Sequence, residues 1–373
     1  GRHGGLPLQM RHQTKDRGNE GRSSMKVAII GAGFITRIGH LPGYTAAGAD
    51  VAAMCDLMPE RAAALAEQFK VSPRIYTVWR QMLEQERPDI VSICLPNVLH
   101  EEPVIASLEA GAHVLCEKPL ATSVASAQRM YDAARRAGRR LMAAQNFRWA
   151  PAAMAVKRAV EEGTLGEIYY AEATAMRRLG IPSWGDFHRS EMAFGGPLLD
   201  IGVHMLDQTL WLMGNPRALR VSAMIDRRFG QRPEIAALAG NAWDPAVFDV
   251  EDFAVAFVRL EGGASLMLRA AWAGHLDAAR VMSSRLLGTE AGATTEPPAI
   301  YRLRGGLATE ERFTNLPENR SYILEIAHFL AVARGEAEPL VREEETMNVQ
   351  CILNAAYESA ALGCEVGVAG EAR

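Results

Sequence analysis

The chain has 373 residues, 49% of them hydrophobic and 23% charged, with a net charge of −4 and a pI near 6.2. That length suits two domains better than one core, and the mild acidity excludes nucleic acid and anionic membrane surfaces as expected partners. No apolar stretch approaches the roughly 20 residues of a membrane span, so the expectation is a cytoplasmic globular protein.

Residues 1–24 are rich in Gly, Arg, His, Ser and Gln and lack the apolar segment of a secretory signal. They are expected to be a disordered extension, with Met25 as the natural start. From there, short apolar runs alternate with helical periods. Strands are predicted over 27–30, 50–55, 75–76, 89–95, 113–116 and 140–145. Helices are predicted from the first strand to about 47, then over 59–69, 78–86, 101–110 and 123–137. Pro59 opens one of them, and Gly111 and Gly138 close two others. This alternation implies a parallel, doubly wound sheet with right-handed crossovers over residues 25–146.

After Gln145 the pattern changes. A helix over 151–162 ends at Gly163 and a strand follows over 167–176. Strands over 252–260 and 264–271 join across Gly262-Gly263, a hairpin signal. Residues 147–373 therefore read as an α+β domain with a large, mainly antiparallel sheet. Residues 227–249 form a long connection, of the kind often used for function or assembly. A terminal helix is predicted over 346–362. The five cysteines have no metal-type spacing. Small apolar filler in a reducing compartment is the favoured reading, with a nucleophilic Cys116 as the alternative. No metal is expected.

Four motifs carry chemistry. Gly31-Ala32-Gly33-Phe34-Ile35-Thr36 follows the first strand, as a pyrophosphate-binding turn does, with Thr36 in place of the third glycine. Asp56 ends the second strand, where a carboxylate accepts from ribose hydroxyls and repels a 2′-phosphate. NAD is thus expected over NADP, although Arg61 keeps NADP as the second choice, and Asp56 could also cap the following helix. Leu95-Pro96-Asn97 and His100 follow the fourth predicted strand, Asn97 as a ribose or carboxamide contact and His100 as either a ligand or a loop anchor. Glu117-Lys118-Pro119 ends the next strand of the same sheet, at the edge where such sheets bind ligands. In the second domain, Asp200 and His204 stand four residues apart. On a helix they share one face with Asp207, a pattern suited to acid–base work with the carboxylate orienting the imidazole and favouring its cation.

Together these residues resemble the Gfo/Idh/MocA family of sugar and polyol dehydrogenases. The resemblance spans nearly the whole chain from Met25 and includes Gln145-x-x-Arg148, Gly195-Gly196 and Leu287-Gly288-Thr289. It implies an N-terminal Rossmann domain and a catalytic set of Lys118, Asp200 and His204. Cofactor contacts are expected along Gly31, Gly33, Phe34, Ile35, Asp56, Arg61, Leu95, Pro96, Asn97, His100, Glu117, Lys118, Gln145 and Arg148. Substrate contacts are expected from Lys118, Arg148, Trp184, Asp200 and His204. For Arg148 a structural ion pair is the competing role, and for Trp184 a core or interface position.

The expected activity is hydride transfer between NAD and a secondary hydroxyl of a sugar, cyclitol or sugar derivative. His204 would act as base and Lys118 as electrostatic partner of the oxygen. The rivals are a redox-neutral glycosidase or epimerase and a non-catalytic sugar sensor. A homodimer or homotetramer through the C-terminal sheet is expected.

Overall fold

A computed structural model describes residues 25–368; the expected extension, residues 1–24, lies outside them. Six parallel strands form the first sheet, in the order β3-β2-β1-β4-β5-β6. They are β1 (Lys26–Ile30), β2 (Asp50–Cys55), β3 (Arg74–Tyr76), β4 (Ile90–Ile93), β5 (His113–Cys116) and β6 (Leu141–Ala143). Central strands are buried on both faces, as a covered parallel sheet requires. The order reverses between β1 and β4, so the loops leaving those strands bracket a crevice at the strand ends.

The first crossover departs from a regular helix. A π-helical turn, Thr36–His40, precedes a short α-helix, Leu41–Ala46. Thr36 Oγ1 donates to the Gly31 carbonyl at 2.6 Å, and the side chain is fully buried. The residue that breaks the glycine fingerprint thus closes the turn with a hydrogen bond where a third glycine would only have made room.

The second sheet has nine strands, with β7 (Ile168–Arg177), β8 (Ala218–Asp226), β9 (Phe253–Leu260) and β10 (Ser265–Ala271) at its centre. It continues through β11 (Arg280–Gly288), β12 (Gly292–Thr295), β13 (Pro298–Arg304) and β14 (Leu307–Arg312), and β15 (Val366–Gly367) closes the far edge beside β8. Pairing is antiparallel except between β7 and β10. The expected hairpin is the β9–β10 turn, where Gly262 and Gly263 both have positive φ.

Strands β8 and β11 to β14 and the helix Ser321–Ala333 are absent from the sequence-based prediction. Each has a reason. Every residue of β14 is exposed, so it carries no apolar alternation. The helix sequence SYILEIAHFLAVA is apolar around much of its circumference, which erases the period. It lies in the stretch read with the second domain, yet Ile326, Phe329 and Leu330 join the core of the first sheet. The connection 227–249 is ordered by the buried Asp252 carboxylate, which accepts from the backbone of Arg228, Phe229 and Gly230. No helix among the described residues is long and apolar enough to cross a membrane.

Candidate active site

The crevice starts at Gly31. Its φ is +98°, and a Cβ there would stand 2.2 Å from the Cys94 carbonyl oxygen. Only glycine lets β1 turn this close to the end of β4. Gly33 differs: it is exposed, and a Cβ would meet nothing within 4 Å. That open ground beside free backbone suits a pyrophosphate. Asp56 ties the turn to β2, its Oδ2 accepting from Ala32 N at 2.7 Å and its Oδ1 from Met58 N at 2.9 Å. The Met58 bond precedes the helix, whose N-cap is Met58 without a side-chain cap, so Asp56 does not cap it. The carboxylate keeps acceptor capacity beyond these two bonds for ribose hydroxyls. Arg61 is exposed on the helix Pro59–Phe69.

The loops beyond β4 and β5 are pinned to each other. His100 is buried, with Nδ1 3.0 Å from the Pro119 carbonyl and Nε2 2.9 Å from the Leu95 carbonyl. Burial lowers its pKa, so the neutral ring donates to one of the two at a time. Its expected place at the cofactor is corrected to that of a rivet between the Leu95-Pro96-Asn97 loop and the Lys118 turn. Glu117 is likewise turned inward: Oε1 bonds His40 Nε2 at 2.9 Å and Oε2 accepts from Lys118 N at 3.1 Å. Gln145 is buried, and its Oε1 finds no protein partner.

Arg148 is the second correction. It is 1% exposed and its guanidinium is committed inside the protein. It holds Asp207 through two bonds of 2.6 and 2.7 Å, Glu345 at 2.5 Å and the Leu340 carbonyl at 2.8 Å. Burial opposes the charge, but the two carboxylates hold its pKa above the ordinary value. Neither a cofactor nor a substrate can claim those donors. Asp207 therefore leaves the Asp200–His204 stripe and serves the core.

Lys118, Asp200 and His204 do converge, with different pairings from those expected. Lys118 Nζ donates to the Asp200 carbonyl at 2.6 Å and to its Oδ1 at 3.3 Å. The other carboxylate oxygen, Oδ2, accepts from Trp272 Nε1 at 2.9 Å. Asp200 thus orients Lys118, and no bond joins it to His204. Asp200 sits in a π-helical turn, Leu198–Gly202, a distortion common at functional sites. Gly196 anchors the start of that turn. A Cβ on it would lie 1.9 Å from the Glu251 carbonyl oxygen, and its N–H donates to Glu251 Oε2 at 2.8 Å.

His204 stacks on Phe147, with ring centroids 4.6 Å apart, and its buried Nδ1 has no partner among protein groups. Burial, then the positive charges of Lys118 and Arg177, hold its pKa well below the ordinary value. The imidazole is neutral at pH 7, opposite to the cation the Asp200 pairing led one to expect. Arg177, Trp272 and Glu251 belong to this site and escaped sequence reading. Arg177 and Trp272 lie at β-strand ends, far along the chain from any motif. Cys116 is fully buried, and burial pushes its thiol pKa well up, which favours the filler reading over a nucleophile.

Trp184 and Phe34, expected at substrate and cofactor respectively, stack on each other with centroids 4.8 Å apart.

Residues 25–145 match the family model described as oxidoreductase family, NAD-binding Rossmann fold, and residues 153–294 match the GFO/IDH/MocA C-terminal domain. The chain is 33% identical to D-glucoside 3-dehydrogenase of Escherichia coli over 92% of its length and 97% of that protein's. It is 30% identical to levoglucosan dehydrogenase of Pseudarthrobacter phenanthrenivorans, over 65% of its length and 66% of the relative's. A crystal structure of levoglucosan dehydrogenase with NADH and levoglucosan superposes with a TM-score of 0.81 at 24% identity, covering 93% of this chain and 100% of that one. At that identity the likeness is one of fold. Through both family matches and the near full-length relative, the chain belongs to the Gfo/Idh/MocA oxidoreductases, with an NAD-binding Rossmann domain over residues 25–145.

Proposed function

We propose that this oxidoreductase moves a hydride between NAD and a secondary hydroxyl or ketone of a sugar or closely related polyol. The observation that carries the reading is the meeting of a lysine ammonium, the carboxylate that aims it and a neutral histidine beside the dinucleotide crevice. A neutral imidazole keeps one nitrogen lone pair with which it can take a hydroxyl proton. The Lys118 ammonium stabilises negative charge gathering on the same oxygen, and Asp200 keeps it pointed there. Bound nicotinamide supplies the hydride acceptor at C4. Gly31, Gly33 and Asp56 would hold the adenosine and pyrophosphate half, with Leu95, Pro96 and Asn97 on the opposite side of the crevice.

The sugar class rests on the relatives, whose names are those of sugar and polyol dehydrogenases. A screen of glycosides, aldoses and inositols, following NADH absorbance, tests it; no turnover of any with NAD or NADP would refute it. Asp56→Ser should weaken NAD binding and improve relative use of NADP, because it removes a carboxylate from the 2′-phosphate position. Tighter binding of NADP by the wild type would displace Asp56 from the ribose.

We take residues 25–146 as the dinucleotide unit and 147–373 as the substrate and assembly unit, in a cytoplasmic homo-oligomer. The second sheet has one buried face. The other presents Met224, Val255, Phe257 and Met267 in adjacent registers, half-buried or exposed. Burying such a face against a second copy would remove it from water. Light scattering at micromolar concentration should give a dimer or tetramer; a monomer would refute the assembly.

A further inference from the structure

The Phe34–Trp184 stack is out of place as packing. Phe34 is 40% exposed and Trp184 43% exposed, so the pair contributes little to either core. It joins the glycine turn to residues 181–194, the segment that leaves β7 in the other domain. The residues that lead into that segment are tied down. Leu179 bridges Ala273, and Arg178 Nε donates to the Leu276 carbonyl at 2.8 Å. Phe187 packs edge-on against both Trp184 (6.3 Å) and Trp272 (6.5 Å), and Trp272 is the donor to Asp200. Further along, the Ala193 carbonyl accepts from Asn97 Nδ2 at 2.7 Å. One segment therefore touches the loop after β1 through Phe34 and the loop after β4 through Asn97. Those two loops bracket the crevice where the sheet order reverses.

We propose that residues 181–194 form a strap across the dinucleotide groove, latched by Trp184 on Phe34, and that Trp184 sets how long the cofactor stays bound. The proposal rests on the NAD reading above. A dinucleotide lying on the open ground at Gly33 runs between the two loops the strap joins. To leave, it must first part an aromatic stack and the Asn97 bond. Trp184 thereby changes from a sugar-stacking candidate to a cofactor-retaining residue, because one face of its indole is stacked on Phe34. The aromatic relay to Trp272 also couples strap position to the carboxylate that aims Lys118.

The test loads the full chain with NADH and follows its displacement by excess NAD, using nicotinamide fluorescence in a stopped-flow instrument. Losing an aromatic pair should speed release by about 3–10-fold in Trp184→Ala. Phe34→Ala should do the same, the double variant should release no faster than the quicker single, and Trp184→Phe should stay near the wild type. Limited trypsin cleavage at Arg189, inside the strap, gives a second readout. NADH should protect this bond in the wild type and protect it less in Trp184→Ala. Unchanged release in Trp184→Ala, or additive effects in the double variant, would overturn the strap. A wild type that fails to bind NADH at all would instead overturn the NAD reading, and the strap with it.

Discussion

Replacing Lys118 or His204 with Ala is expected to lower turnover by about 10²–10⁴-fold while leaving NAD affinity close to the wild-type value. On the proposed reading both residues would stand at the reacting end of the crevice, whereas the glycine turn and Asp56 would hold the other half of the dinucleotide. Because both would act on one oxygen, the double variant should lose less than the two singles combined. The pH profile adds an independent check. A base works in its deprotonated form, and the depressed pKa of His204 keeps it so at neutral pH. The acid limb of kcat/KM should therefore lie below 6.5, the ordinary histidine value. Lys118→Ala removes one of the positive charges that depress it, so in the residual activity of that variant the limb should move to higher pH. Near-normal turnover in either single variant would end this assignment. A collapse of NAD binding in His204→Ala would move that residue into the cofactor site.

The largest stability loss is expected at Arg148. Removing the guanidinium leaves the fully buried Asp207 carboxylate without its cation and Glu345 with Arg342 alone. Breaking a buried pair from one side typically costs about 3–5 kcal/mol. Arg148→Ala should melt well below the wild type. Arg148→Lys should recover only part of the loss, because an ammonium cannot reproduce the two-pronged hold on Asp207. The triple change Arg148→Met, Asp207→Leu and Glu345→Leu should recover more than Arg148→Ala, since no charge is then stranded. Calorimetric melting and NAD titration separate the two roles once considered for this residue. Unchanged melting together with lost cofactor or sugar binding would return Arg148 to the site.

The amino-acid sequence by itself determined the first domain nearly strand by strand. Parallel strands buried on both faces read as short apolar runs, and their crossovers carry local stop signals such as Gly111 and Gly138. It also determined which residues meet at the crevice, since Gly31, Asp56, Asn97 and Lys118 all follow strands of one sheet and parallel strands end on one edge. What each of those residues bonds was decided only by the tertiary structure. His100 and Arg148 carry the same chemical groups whether they face a ligand or a neighbouring loop, and burial chose the loop. Asp200 and His204 stand a helical turn apart in sequence, yet the carboxylate turned to Lys118 and Trp272, 82 and 72 residues away. The protonation of His204 followed from that arrangement. It depends on desolvation and on charges brought close by two separate strands, neither of which has a signature along the chain.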